Sequence, residues 1–99
     1  MKSVTTENFT QEIDAPCLAY FWAAWCGPCF NQEEELKILE KEFPKIGFLK
    51  INCDENHQLA NDHNIIAVPT TILFKNGKVV QRLAGMQKVS AMREALKKL

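Results

Sequence analysis

The sequence has no excess charge of either sign, no long apolar run and no internal repeat. Twelve basic residues balance twelve acidic ones, so nothing in the composition favours a nucleic acid or an anionic membrane as partner. No apolar stretch approaches the length needed to cross a bilayer. The first residues, Met1-Lys2-Ser3-Val4-Thr5-Thr6-Glu7, contain no apolar segment of the signal-peptide kind, and the expectation is a cytoplasmic, reducing setting. Linkers and low-complexity segments are also missing. The 99 residues suit a single domain spanning 1–99, which hides roughly two-thirds of its unfolded surface on folding. With 46% apolar residues, one core can form without a metal or a disulfide staple. In a reducing setting four cysteines are poor evidence for a structural disulfide framework. They point instead to redox chemistry or to a metal.

Two of the four stand in Trp25-Cys26-Gly27-Pro28-Cys29. Thiols separated by two residues can close on each other only across a tight turn. Pro28 suits the first position of a helix, where its missing N–H would be unpaired anyway, and Gly27 lets the backbone turn. Phe30-Asn31-Gln32-Glu33-Glu34-Glu35-Leu36 follows without a breaker and with acids near its start, as a helix N-terminus favours. Cys17-Leu18-Ala19-Tyr20-Phe21-Trp22 precedes it and reads as a buried strand. The cysteine pair therefore falls where a strand hands over to a helix, with Cys26 at the positive end of the helix dipole. There the thiolate, the reactive form, is favoured over the thiol.

Ser3-Val4-Thr5 predicts a very short strand. A helix starts near Thr6, with Thr5 or Thr6 as N-cap and Phe9 and Ile13 facing inward, and Asp14-Ala15-Pro16 ends it. The near-continuous apolar strand Cys17–Trp22 suits a central parallel position. The helix after the cysteines runs to about Phe43, with Leu36, Leu39 and Phe43 on one face and Glu33 and Lys37 paired on the wet side. Pro44 stops it. Gly47–Asn52 is the next strand and closes a right-handed βαβ unit. A short helix from about Asn56 to His63 turns Leu59 and Ala60 inward, with Asn64 after its end. Thr71–Phe74 and Val79–Leu83 are strands joined by Asn76-Gly77, a strong hairpin signal. The last helix covers Val89 to Lys98, with Val89, Met92, Leu96 and Leu99 at helical spacing. The order is βαβαββα behind a short extra strand and helix, an α/β fold with a mixed sheet covered on both faces.

The run Phe21-Trp22-Ala23-Ala24-Trp25-Cys26-Gly27-Pro28-Cys29 closely resembles the active-site run of the thioredoxin family. Val68-Pro69-Thr70, Phe74-Lys75-Asn76-Gly77 and Gly85 follow in the family's order and at similar distances, and the likeness extends from Phe9 to the last helix. The resemblance implies the thioredoxin fold, with a central mixed sheet and helices on both faces. It also implies a general protein disulfide reductase, fed electrons by a thioredoxin reductase and acting as a monomer on disulfide-containing proteins, with no cofactor or metal of its own. In that reading Cys26 attacks a target disulfide, and Cys29 resolves the mixed disulfide, leaving a Cys26–Cys29 disulfide. Gly27 and Pro28 tune the site. The resemblance implies a cis Pro69 against the dithiol, and a Val68 that offers its N–H and C=O to an extended peptide. Trp25, Ala67, Val68, Gly85 and Met86 would form an apolar rim around Cys26, with Trp22 packed beneath.

Three positions depart from the family pattern. Tyr20 stands where thioredoxins usually carry a buried Asp that takes the proton of the resolving thiol, and a phenol is a far weaker base near neutrality. Lys50 matches the lysine that normally partners that Asp, so it loses its usual counter-charge and is expected to snorkel or lose its proton. A water held by Tyr20 and Lys50 would then serve Cys29, with slower resolution. Glu34 replaces a frequent kinking proline, and Phe30 replaces a frequent basic residue directly after Cys29. Cys17 and Cys53 read as small buried hydrophobes, with a regulatory role for Cys53 as the alternative. His57 and His63 read as exposed polar residues, and Glu33-Glu34-Glu35 as a solvated face.

Rival readings are an oxidase or isomerase, a zinc module and a non-catalytic binding subunit that has kept the fold. Gly27-Pro28 argues against the first, since more oxidising relatives usually carry a His between the cysteines. The second would join Cys26 and Cys29 to His57 and His63, at the edge of known zinc spacings.

Overall fold

A computed structural model describes all residues from Met1 to Leu99. The elements run β1 (Lys2–Ser3), α1 (Phe9–Glu12), β2 (Cys17–Trp22), α2 (Gly27–Glu42), β3 (Gly47–Asn52), α3 (His57–Asp62), β4 (Thr70–Lys75), β5 (Lys78–Ala84) and α4 (Val89–Leu96). They build one five-stranded sheet in the order β1-β3-β2-β4-β5. β2 lies at its centre, parallel to β3 on one side and antiparallel to β4 on the other. This central place explains the unbroken apolar run of β2, because both faces of the strand are covered. Cys17, Leu18, Ala19, Tyr20 and Phe21 are all buried.

Strand alternation divides the core in two. Leu18, Tyr20, Phe48 and Leu73 join Cys26, Cys29, Leu36 and Leu39 of the α2 region and Met92, Ala95 and Leu96 of α4 on one face. Cys17, Ala19, Phe21, Leu49, Ile51, Ile72 and Phe74 join Phe9, Ile13 and Leu59 on the other. The β4–β5 hairpin turns through Asn76 and Gly77 at φ of 55° and 76°, two successive left-handed residues that match the twist of the flanking strands. Asn64, after α3, is also left-handed at φ 54°, as expected of a residue closing a helix.

The start of the chain differs from expectation. β1 is Lys2–Ser3, α1 is a single turn, and its N-cap is Asn8 rather than Thr5 or Thr6. Asn8 Oδ1 accepts from the Thr5 N–H at 2.8 Å, while the Thr6 N–H donates to Oδ1 of buried Asn56 at 3.1 Å. Both threonine N–H groups thus have partners outside the helix, that of Thr6 through a tertiary contact with Asn56. His63 also departs from its reading. It is half-buried, with its ring 5.0 Å from Phe9 and 5.9 Å from both Phe21 and Phe74. Its Nδ1–H donates to the Leu59 carbonyl at 2.9 Å, so the imidazole packs as an aromatic plate.

Candidate active site

The strand-to-helix junction holds the cysteines as the sequence predicts. Cys26 is the N-cap of α2 with extended backbone (φ −94°, ψ 105°), Pro28 lies in the first turn, and the Cys29 N–H donates to Cys26 Sγ at 3.2 Å. That sulfur thus occupies the place where an N-cap side chain accepts a free helix N–H, which favours negative charge on it. Cys26 and Cys29 are disulfide-bonded with their Cα atoms 5.4 Å apart. Both are buried, Cys29 slightly more deeply.

Around them, separate loops are tied into one rim. The Val68–Pro69 peptide is cis and Pro69 is buried. The Pro69 carbonyl accepts from the Gly85 N–H at 2.8 Å, with Gly85 at φ 79°, a conformation glycine adopts freely. The Thr70 hydroxyl donates to the Ala67 carbonyl at 2.6 Å. Val68 keeps its own N–H and C=O free of any hydrogen bond within the chain. Trp25 is 73% exposed and Ile66 97%, with Met86 and Phe30 also exposed. A pocket of about 120 Å³, lined wholly by apolar residues, opens between Trp25, Cys53, Ile65, Ile66, Ala67 and Val68.

Two polar residues that hold this rim escaped the sequence reading. Trp25 Nε1–H donates to Asp54 Oδ2 at 2.9 Å, which fixes the exposed indole. Gln32 is fully buried. Its Oε1 accepts from the Gln87 N–H at 2.8 Å and its Nε2 donates to the Gln87 carbonyl at 3.2 Å, so α2 pins the segment that follows Gly85 and Met86. Gln32 shares its helix face with Leu36 and Leu39, and that spacing was the available signal.

Beneath the dithiol, the departures from the family pattern take a definite form. The Tyr20 hydroxyl donates to the Cys29 carbonyl. Burial, and then the nearby Glu33 carboxylate, push its ionisation well above that of a free phenol. Lys50 is not left without a counter-charge, as the sequence suggested: its Nζ donates to both Glu33 carboxylate oxygens, at 3.0 and 3.1 Å. Glu33 is therefore no solvated surface acid. It stands half-buried between Lys50 and Lys37, and the counter-charge of Lys50 comes from α2 rather than from β2. Lys50 also lies 4.8 Å from the Trp22 ring centroid. Trp22 in turn packs edge-on against Phe30 at 6.4 Å.

Of the other two thiols, Cys17 is buried as read from the sequence, whereas Cys53 is only half-buried, just past the end of β3 where it lines the pocket beside Trp25. Burial, with Glu12 second, pushes Cys17 up to about 11; burial, with Asp54 second, does the same to Cys53. His63 lies on the sheet face opposite the dithiol, and no cluster of three or more His, Cys, Asp or Glu is placed to hold a metal. The four ligands of a zinc module are not brought together.

The thioredoxin family model matches residues 1–98. A thioredoxin of Alicyclobacillus acidocaldarius is 42% identical over 88 residues, 86% of this chain and 84% of that protein. A thioredoxin of Bacillus subtilis is 34% identical over 96 residues, 95% of this chain and 92% of that protein. The crystal structure of mitochondrial thioredoxin 3 from Saccharomyces cerevisiae in its oxidized form superposes with a TM-score of 0.92 at 27% identity, covering 100% of this chain and 95% of that one.

Proposed function

The chain belongs to the thioredoxin family, protein-disulfide oxidoreductases that work by dithiol–disulfide exchange, and from that premise we propose the part each residue plays. Cys26 attacks the target disulfide as thiolate, forming a mixed disulfide and releasing one target thiolate, which takes up a proton. Cys29 then gives up its proton and attacks Cys26 Sγ, expelling the second target thiolate and closing the Cys26–Cys29 bond. Cys26 Sγ as N-cap of α2 is the observation that carries this assignment, because the helix N-terminus stabilises the anion that must attack.

The target approaches as an extended segment beside Val68, whose free N–H and C=O suit strand-like pairing. Trp25, Ala67, Val68, Pro69, Gly85 and Met86 supply apolar contact with little demand on sequence. Gly27 and Pro28 set the turn. Tyr20 and Lys50 tune the buried side, where a water between them would carry the proton of Cys29. A thioredoxin reductase returns the electrons, and the chain acts as a monomer in the cytoplasm, a reducing setting that suits the free thiols of Cys17 and Cys53.

Insulin reduction driven by dithiothreitol tests the assignment. Cys26→Ser should bring turnover to background with the fold intact, and Cys29→Ser should accumulate a mixed disulfide between Cys26 and the target. Full turnover by Cys26→Ser, or trapping through another cysteine, would overturn it.

A further inference from the structure

The sheet register sets four residues in one row on the face that carries the dithiol: Lys50 of β3, Tyr20 of β2, Thr71 of β4 and Leu83 of β5. Two of the three polar members are occupied. Lys50 is held by Glu33, and the Tyr20 hydroxyl is given to the Cys29 carbonyl. Thr71 is 1% exposed, and its hydroxyl has no hydrogen-bond partner. Buried polar groups are nearly always paired, and leaving one unpaired is costly. Alternation along β4 turns Thr71 to the same side as Leu73, which packs in the cluster containing Cys26 and Cys29. Tyr20, its direct cross-strand neighbour, reaches Cys29 from there. Leu83, on its other side, offers no polar group.

We propose that Thr71 is the hydrogen-bond donor to Cys29 Sγ once the disulfide is open. This inference rests on the reading of Cys29 as the resolving thiol. In the disulfide, that sulfur is a weak acceptor and the hydroxyl stays unpaired. Reduction frees the sulfur as thiol and thiolate, and a hydrogen bond from a hydroxyl to a charged acceptor is among the stronger ones. During resolution Thr71 keeps its proton: Cys29 loses its own, the hydroxyl steadies the resulting anion, and the anion attacks Cys26 Sγ. The hydroxyl thus favours the reduced state at both ends, by a cost carried in the oxidised form and a bond made in the reduced one. The groups facing this point are Tyr20 from β2, Lys50 from β3 and Glu33 from α2, with Lys37 behind Glu33. Met92, Ala95 and Leu96 of α4 bring no charge.

The near-isosteric Thr71→Val and the hydroxyl-retaining Thr71→Ser test this through the dithiol reduction equilibrium, the stability of each redox form and the pH profile of the resolving step. Thr71→Val should favour the oxidised form about tenfold, which for a two-electron couple is about 30 mV more reducing. The gain in stability should be confined to the oxidised protein, and the resolving step should need a higher pH. Thr71→Ser should track the wild type. In the wild-type chain, the Thr71 hydroxyl proton should exchange slowly with solvent only after reduction. Equal shifts of both redox forms in Thr71→Val, or a hydroxyl proton equally protected in both wild-type forms, would overturn the proposal. Trapping by Cys29→Ser is independent of Thr71, so failure here with trapping intact condemns the hydrogen bond and not the role of Cys29.

Discussion

The two faces of the sheet are built from the same strands, in alternate residues, yet they differ in kind. On the α1–α3 side, Phe9, Phe21, Phe74 and the His63 ring meet edge to face and tilted at 5.0–6.5 Å, and the two thiols there, buried Cys17 and half-buried Cys53, are both pushed up to about 11 by burial. On the α2–α4 side, polar atoms are admitted beneath the dithiol: Tyr20, Thr71 and Gln32 are buried, and the Lys50–Glu33 pair lies at the margin. One face stabilises the fold and the other carries the chemistry. The same residue type is expected to behave oppositely in the two places, because burial alone raises a thiol while a helix N-terminus favours the thiolate.

The largest effect that would sharpen this contrast falls on the aromatic face. Phe21→Ala should cost about 3–5 kcal/mol in denaturant unfolding, while the folded fraction keeps the pH profile of disulfide reduction. A changed profile would show that the faces are not separate. On the other side, Glu33→Gln should cost about 1–2 kcal/mol by loosening a half-buried ion pair, and it should alter the chemistry as well. Since Glu33 helps to hold the Tyr20 phenol above its ordinary ionisation, its loss should bring the phenolate absorbance of this single tyrosine to lower pH. A titration unmoved by the substitution would remove Glu33 from the site.

A smaller effect concerns Cys17 and Cys53. Cys17 and Cys53 ionise near 9 when free and near 11 in the fold. Over that interval the unfolded chain has released protons that the native chain retains, so stability is fully present below pH 9 and declines as pH rises toward 11. Cys17→Ala should change stability at neutral pH by about 1 kcal/mol or less and flatten part of that decline in alkaline unfolding curves. An unchanged slope would mean that the buried thiol does not titrate as described.

Local signals were legible in the sequence where the chain decides its own structure. The apolar run of β2, the Gly-Pro junction, Pro44 and Asn76-Gly77 each act within a few residues, and they located the central strand, the cysteine pair, the end of the long helix and the hairpin. What could not be read depends on partners distant in sequence. Glu33 has Lys37 one turn away, which suggested a surface pair, but Lys50 reaches it from β3, seventeen residues on. Asn56, fifty residues from Thr6, holds that threonine's N–H beside the start of α1, where Asn8 is the cap. The row of Lys50, Tyr20 and Thr71 exists only through the strand register.

The central claim is that position at the start of α2 makes one sulfur reactive where the others are not. The pH dependence of alkylation of each cysteine in the reduced protein, resolved site by site by mass spectrometry, tests it most directly. Cys26 should reach half its limiting rate below about pH 7.5, with Cys17 and Cys53 lagging toward pH 11. A Cys26 that titrates no earlier than those two would contradict the account.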